Sequence, residues 1–197
     1  QYVAQGMGSE ELADFVKSHY FKANNLTDRK TALNFVCRDS RLSLQVREEI
    51  LEDFYERWSS EALVLDLWFS VQAQSPVTSI EELKKLESHP MFDRKNPNRV
   101  RSVFSSFGMG NQFRFHAKDG SGYEYLANAV SSLDESNPQL AARLAGPLTR
   151  WGRYDTNRQR LMIGALKNMA SSEGISKDLY EIVSKSCLLY TSPSPRD

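Results

Sequence analysis

Apolar residues in this chain recur at three- and four-residue spacing from one end to the other, and nowhere do they alternate with polar ones over the length of a strand. Side chains at i, i+3, i+4 and i+7 share one face of an α-helix, whereas a half-buried strand needs a period of two. Leu12, Phe15, Val16, His19 and Tyr20 make the first such stripe, and Val46, Ile50, Phe54 and Trp58 make another in steady four-residue steps. No hairpin turn stands between strand-like runs. About eleven helical segments result, so the expected fold is all-α: an irregular array, stacked like an α-solenoid but without a fixed-period repeat.

The starts and stops are sharper than the stripes. Asn96-Pro97 opens a helix, because the Asn side chain can accept from an orphan N–H and Pro loses nothing at the first helical position. Val100, Val103, Phe104 and Phe107 then share one face, with Arg99 and Arg101 on its flanks, until Gly108-Met109-Gly110. Asp119-Gly120-Ser121-Gly122 is a tight turn, after which Tyr123 opens the next helix. Asn137-Pro138 repeats the start signal, and Gly146-Pro147 ends that helix. Ser9, Thr27, Asp155 and Ser176 read as N-caps, and Ser79 with Glu82 as a capping box. From Ala62 to Gln74 apolar residues, among them Leu63, Leu65, Trp68 and Phe69, surround most of the cylinder, which describes a helix buried on several sides. A buried strand is the alternative; length and flanking helices favour the helix.

With 25 basic and 25 acidic residues the chain has no net charge. That argues against a general binder of nucleic acid or of an anionic membrane, since both need a basic excess. No apolar run approaches the ~20 residues of a membrane span. Cys37 and Cys187 form neither a disulfide framework nor a zinc-ligand spacing. Residues 1–8 read as a lead-in, 9–186 as the domain, and the chain begins at Gln1 without a Met, as a fragment would. Residues 187–197, CLLYTSPSPRD, leave the helical pattern and resemble one reading frame of a transposase adapter used in DNA library preparation. They are expected to be disordered and to carry no function.

Catalytic constellations are missing. His19, His89 and His116 are far apart and form no metal pair; His19 reads as a packed core residue, His89 as a helix-end residue, and His116 as a loop-stabilising one. Cys37 lies on an inward face and reads as a small core residue. Nucleophile-elbow, phosphate-loop and dinucleotide motifs are all absent. The basic cluster Arg94, Lys95, Arg99, Arg101, Arg114 and Lys118 is either a solvated edge neutralised by Asp93 and Asp119, or a site for a carboxylate. Gln139 and Arg143, at i and i+4, point the same way, and guanidinium groups bind carboxylates bidentately.

The same residues carry a family resemblance. NPNRVRSVFSSF (96–107), FHAKDGSGYEYL (115–126), NPQLAARLAGPLTRWGRYD (137–155) and GISKDLYEIVSKS (174–186) resemble the C-terminal helical domain of the bacterial aminopeptidase N family, the alanyl aminopeptidases. NNLTDRKTAL (24–33) and LVLDLWFSVQAQSP (63–76) match it upstream. The segments from Phe35 to Arg41 and from Asn111 to Arg114 match less well. The resemblance implies a zinc metallopeptidase that removes N-terminal residues from peptides, its zinc and general base lying in a preceding thermolysin-like domain. The H-E-x-x-H motif of that domain does not occur here, so this chain is expected to have no catalytic residue and no metal ligand. Its implied partners are that catalytic domain of the same polypeptide and peptide substrates, in the cytoplasm, and its implied role is to close over the active-site cavity. By the resemblance Arg101, Gln139 and Arg143 face that cavity and bind the peptide main chain or its C-terminal side. The competing reading is a free-standing helical adaptor that binds a protein partner on its concave face. A fragment would also expose an apolar patch on its N-terminal helices.

Overall fold

The computed structural model describes residues 6–191, with side chains up to 187. Every described element is helical. In order they are α1 (Ser9–Lys22), α2 (Leu26–Arg38), α3 (Leu44–Trp58), α4 (Ala62–Ala73), α5 (Ile80–Glu87), α6 (Pro97–Gly110), α7 (Gln112–Phe115), α8 (Ser121–Asp134) and α9 (Pro138–Leu144). A 3₁₀ segment (Leu148–Arg153), α10 (Thr156–Ala170) and α11 (Lys177–Thr191) complete the array. Neighbours in sequence are neighbours in space: α1, α2 and α3 pack together, α4 lies along α6, α8 along α9, and α10 along α11. One continuous apolar core runs through all of them, which is the helical stack that the periodicity implied.

The strongest start signals behave as their chemistry requires. Asn96 Oδ1 accepts from the N–H groups of Asn98 and Arg99, and Asn137 Oδ1 from Leu140 N–H. Ser79 and Glu82 close a complete capping box, Asp155 caps α10, and Ser176 Oγ accepts from Leu179 N–H. Val100, Val103, Phe104 and Phe107 are all fully buried. Gly120 takes φ +81°, the left-handed turn conformation that its position demanded. Two residues on, Gly122 lets α8 approach the end of α7: a Cβ there would lie 2.5 Å from the carbonyl oxygens of Arg114 and Phe115.

Several expectations are corrected. α1 is capped by Gly8, and Ser9 is its first helical residue. Asn25 rather than Thr27 caps α2, accepting from Asp28 N–H, because Asn competes well for that N–H and stands two residues earlier. The buried line of α1 is Leu12, Val16 and Tyr20; Phe15 and His19 face outward and stack on each other, because α2 and α3 cover only one side of α1. Leu63 is 79% exposed, in the first turn of α4, although Leu65, Trp68 and Phe69 deeper in that helix are buried. The short helix α7 interrupts what reads as a polar loop, and α8 begins at Ser121 rather than Tyr123. α11 continues to Thr191, so the helical pattern does not stop at Ser186, and Cys187 packs partly against the core. Residues 1–5 of the lead-in and 192–197 of the tail lie outside the described residues.

The largest departure concerns Arg99. It is only 5% exposed. Its Nε donates to Asp66 Oδ1 at 2.6 Å, another guanidinium nitrogen donates to Met91 O, and the guanidinium lies 4.8 Å from the Phe69 ring centre. This pair ties α6 to α4 from inside. Removing one partner strands a buried charge, so Asp66→Ala is expected to destabilise the chain by about 3–5 kcal/mol in urea unfolding. The double change Asp66→Leu/Arg99→Met, which removes both charges, should cost far less.

His116 is buried at the junction of α7, α8 and α10. Its Nδ1 lies 2.7 Å from Tyr123 Oη, its ring stacks on Tyr154, and its carbonyl accepts from Arg158 Nε. Burial, and then the nearby Arg158 charge, hold this imidazole below its ordinary pKa of 6.5; burial and then Arg99 do the same at His89. A base whose folded pKa is depressed binds fewer protons folded than unfolded. Its contribution is therefore full above pH 6.5 and declines as pH falls towards the folded value. Unfolding free energy should accordingly be flat between about pH 6.5 and 8, fall at more alkaline pH because burial raises the Cys37 thiol and the Tyr125 phenol, and drop below about pH 6.5 towards the carboxylate range, where His116→Gln should reduce the slope, read by urea titrations at successive pH values.

Candidate functional site

The expected basic cluster does not act as one group. Arg99 is inside. Arg94 reaches Glu87 at 3.3 Å and Ser132 Oγ at 3.1 Å, while Arg114 Nε donates to Pro76 O. Those three arginines hold helices together. Lys95 and Lys118 stay on the exposed surface. Arg101 differs from all of these: it is half-buried, and among the described residues its polar contact is a 3.2 Å hydrogen bond to Asn98 Oδ1, a residue of its own helix.

The packing decides where Arg101 lies relative to Gln139 and Arg143. Arg94, just before α6, meets Ser132 near the end of α8, whereas Phe104 and Phe107 further along α6 meet Tyr125 near the start of α8. So α6 and α8 are antiparallel. The short link 135–137 then sends α9 back along α8, so that α9 runs in the same sense as α6. Their ends touch where Gly108 lies against Pro147, a contact in which an added Cβ would come within 3.0 Å of the proline ring. Arg101 precedes Gly108 by two helical turns and shares its face. Gln139 and Arg143 lie up to two turns before Pro147. The fold thus sets the three residues on adjacent helices whose C-terminal ends meet. Gln139 and Arg143 are exposed, and among the described residues no carboxylate pairs with Arg101 or Arg143.

A separate groove of about 670 Å³ runs between α5 and α8. Tyr125 Oη donates to Glu87 Oε1 at 2.8 Å at its base, and burial together with the Glu87 charge raises that phenol far above its ordinary pKa. Lys84, Arg94 and Arg114 line it together with Glu81, Glu87, Asp119 and Glu124, so its charges largely balance. Sequence reading did not single it out, because its walls come from helices 40 residues apart. Among the described residues no three His, Cys, Asp or Glu side chains come together as a metal-binding group. The described residues by themselves therefore do not fit a zinc ion. No described helix is long and apolar enough to cross a membrane. On the N-terminal helices Phe15, Phe21, Leu26, Leu44 and Leu63 are exposed; Met91, Met109, Phe113, Tyr180 and Ile182 are exposed further along the chain.

Residues 1–188 match the family model described as a domain of unknown function, DUF3458_C, of ARM repeats. Aminopeptidase N of Haemophilus influenzae is 42% identical over 173 residues, and aminopeptidase N of Escherichia coli 39% identical over 180. These matches take in 87% and 90% of this chain, yet the chain spans only 20% of the length of either relative. A crystal structure of Legionella pneumophila aminopeptidase A in complex with aspartic acid superposes with a TM-score of 0.83 at 35% identity, covering 93% of this chain and 21% of that one. An all-helical stack and these matches agree: the chain belongs to the DUF3458_C family of ARM-repeat domains and is homologous to the C-terminal helical domain of bacterial aminopeptidase N.

Proposed function

We propose that this chain is the substrate-confining helical domain of a zinc-dependent aminopeptidase. Its role is to close over the active-site cavity of a catalytic domain in the same polypeptide, in the cytoplasm. The zinc and the catalytic residues belong to that other domain. Residues 9–186 form the functional unit. The exposed apolar side chains of α1 to α4 supply surface for covering by the rest of the polypeptide.

One observation carries the reading beyond homology. Arg101 and Arg143 have no carboxylate partner within the described chain, and they stand on adjacent helices with Gln139. A peptide entering an exopeptidase always brings a carboxylate at its far end. Two guanidinium groups and a carboxamide suit that carboxylate and the last amide groups before it. Binding at the far end leaves the N-terminal residue free for the chemistry and spends remote binding energy on orientation.

The test uses a chimera in which this chain replaces the homologous fifth of Haemophilus aminopeptidase N. The chimera should hydrolyse tripeptides, while the chain alone should release no amino acid and take up no zinc. Arg101→Gln and Arg143→Gln should each raise KM for tripeptides about tenfold, the order expected for a lost charge-assisted contact. KM for an aminoacyl p-nitroanilide, which has no carboxylate, should hardly move. Equal effects on both substrates would sink the assigned roles. Full tripeptidase activity in a chimera lacking the helical domain would favour the adaptor reading.

A further inference from the structure

The 3₁₀ segment Leu148–Arg153 presents a second pair of unpartnered arginines. In a helix with three residues per turn, side chains three apart lie nearly in line. Leu148 and Trp151 form the inward line: Leu148 is fully buried, and Trp151 is half-buried with its indole N–H donating to Ser186 Oγ on α11 at 3.0 Å. Arg150 and Arg153 share the same three-residue spacing and are both exposed, with a kink at Arg150 (φ −88°, ψ 15°) between the two turns. The segment is fixed from below by packing on α10 and α11, and Thr149 Oγ1 donates to Gly146 O at 2.8 Å.

Arg150 and Arg153, like Arg101 and Arg143, face no carboxylate among the described residues, and they stand three residues apart on one short segment. Elsewhere in the chain Arg41, Arg57, Arg94, Arg99 and Arg158 each face a carboxylate. Arg47 and Arg114 donate to backbone carbonyls. Among the described residues Arg150 and Arg153 have no such partner. Residues 136–154 hold Arg143, Arg150 and Arg153 and no Asp or Glu at all. The next acid, Asp155, is already held by Arg158 at 2.5 Å and caps α10. Two like charges one turn apart repel each other, and among the described residues neither is in a salt bridge. A rigid backbone thus offers two planar five-donor groups to the solvent side with their donors unused.

We propose that Arg150 and Arg153 form an oxyanion-binding pair that takes the side-chain carboxylate of an acidic residue in a peptide. The pair itself stands on the geometry above; the choice of a peptide carboxylate as its ligand rests on the aminopeptidase reading. The site is separate from that of Arg101, Gln139 and Arg143, and it would give the parent enzyme a preference for substrates with Asp or Glu beyond the N-terminal residue.

The probe is triglutamate acetylated at its N-terminus and amidated at its C-terminus, titrated into the full 197-residue chain. Arginine side-chain Nε–Hε NMR resonances are followed. The probe has neither an N-terminal amine nor a C-terminal carboxylate, so it bypasses the contacts assigned to Arg101, Gln139 and Arg143. The expected result is saturable shifts at Arg150 and Arg153, with affinity falling about tenfold in R150Q/R153Q and little changed in R143Q, at unaltered circular dichroism. Should the double variant unfold, Arg150→Lys/Arg153→Lys keeps the charge and loses the fork, and is expected to bind several-fold more weakly. No binding, binding that survives R150Q/R153Q, or shifts produced by inorganic phosphate and not by the peptide would each overturn the proposal. Binding of free triglutamate through Arg143, with none of the blocked peptide, would also overturn it and leave the aminopeptidase reading standing.

Discussion

The array depends on laying α4 against α6. Beyond its exposed first turn α4 is apolar around much of its circumference, so neighbours must close on it from several directions. Phe69, Phe92, Phe104 and Tyr125 pass ring contacts from α4 through α6 to α8. The difficulty of burying a helix this way lies at its ends, where the last carbonyls have no partner. Asn111, 1% exposed, resolves it: its Nδ2 donates to Ala73 O and Ser75 O at the end of α4, while its Oδ1 accepts from Arg114 N–H at the start of α7. Ser75 Oγ donates in turn to Cys37 O at the end of α2. Three helix ends are thus satisfied by two small side chains at one corner, which fixes the direction in which α6 hands the chain to α8.

That corner explains which parts of the fold were legible in the sequence. Asn96-Pro97, Asn137-Pro138 and the Ser79–Glu82 box are local devices whose partners lie within three residues, so reading them needs no knowledge of the tertiary structure. Asn111 works across 36 to 38 residues, and in sequence it looks like any polar loop residue. The same holds for Arg99, whose spacing put it on a helix flank. Only the approach of Asp66 from α4 turns that flank inward. His19 failed in the opposite sense: its periodicity was that of a buried stripe, but α2 and α3 cover too narrow an arc of α1 to reach it. Periodicity reports which face is apolar, and the width of the covered arc is set by neighbours.

For the candidate site, residue type was readable and adjacency was not. Gln139 and Arg143 share a helix, so their common direction follows from a four-residue step. Arg101 stands on the neighbouring helix α6, which runs the same way as α9, and that sense is imposed by two reversals, at the Gly120 turn and at residues 135–137. The contact between Gly108 and Pro147 then sets how closely the two helices approach. A glycine in mid-sequence reads as a helix stop; its function here is to admit a proline ring.

Charge totals conceal as much as they exclude. A net charge of zero rules out a broad polyanion surface, yet it permits a local excess wherever acids are withheld. Among the described residues several arginines are spent on carboxylates or on backbone carbonyls; some, such as Arg94, Arg99 and Arg114, tie separate elements together, and others, such as Arg57 and Arg158, pair locally. Of those not so engaged, Arg38, Arg101 and Arg160 lie elsewhere, while Arg143, Arg150 and Arg153 fall in the acid-free stretch 136–154. An exposed ion pair contributes little to stability, so withholding acids there costs the fold almost nothing. It leaves donors free to meet an anion that arrives from outside. A neutral chain can therefore present a selective site for carboxylates while remaining indifferent to nucleic acid, because the first needs two or three guanidinium groups held in place and the second needs a continuous basic field.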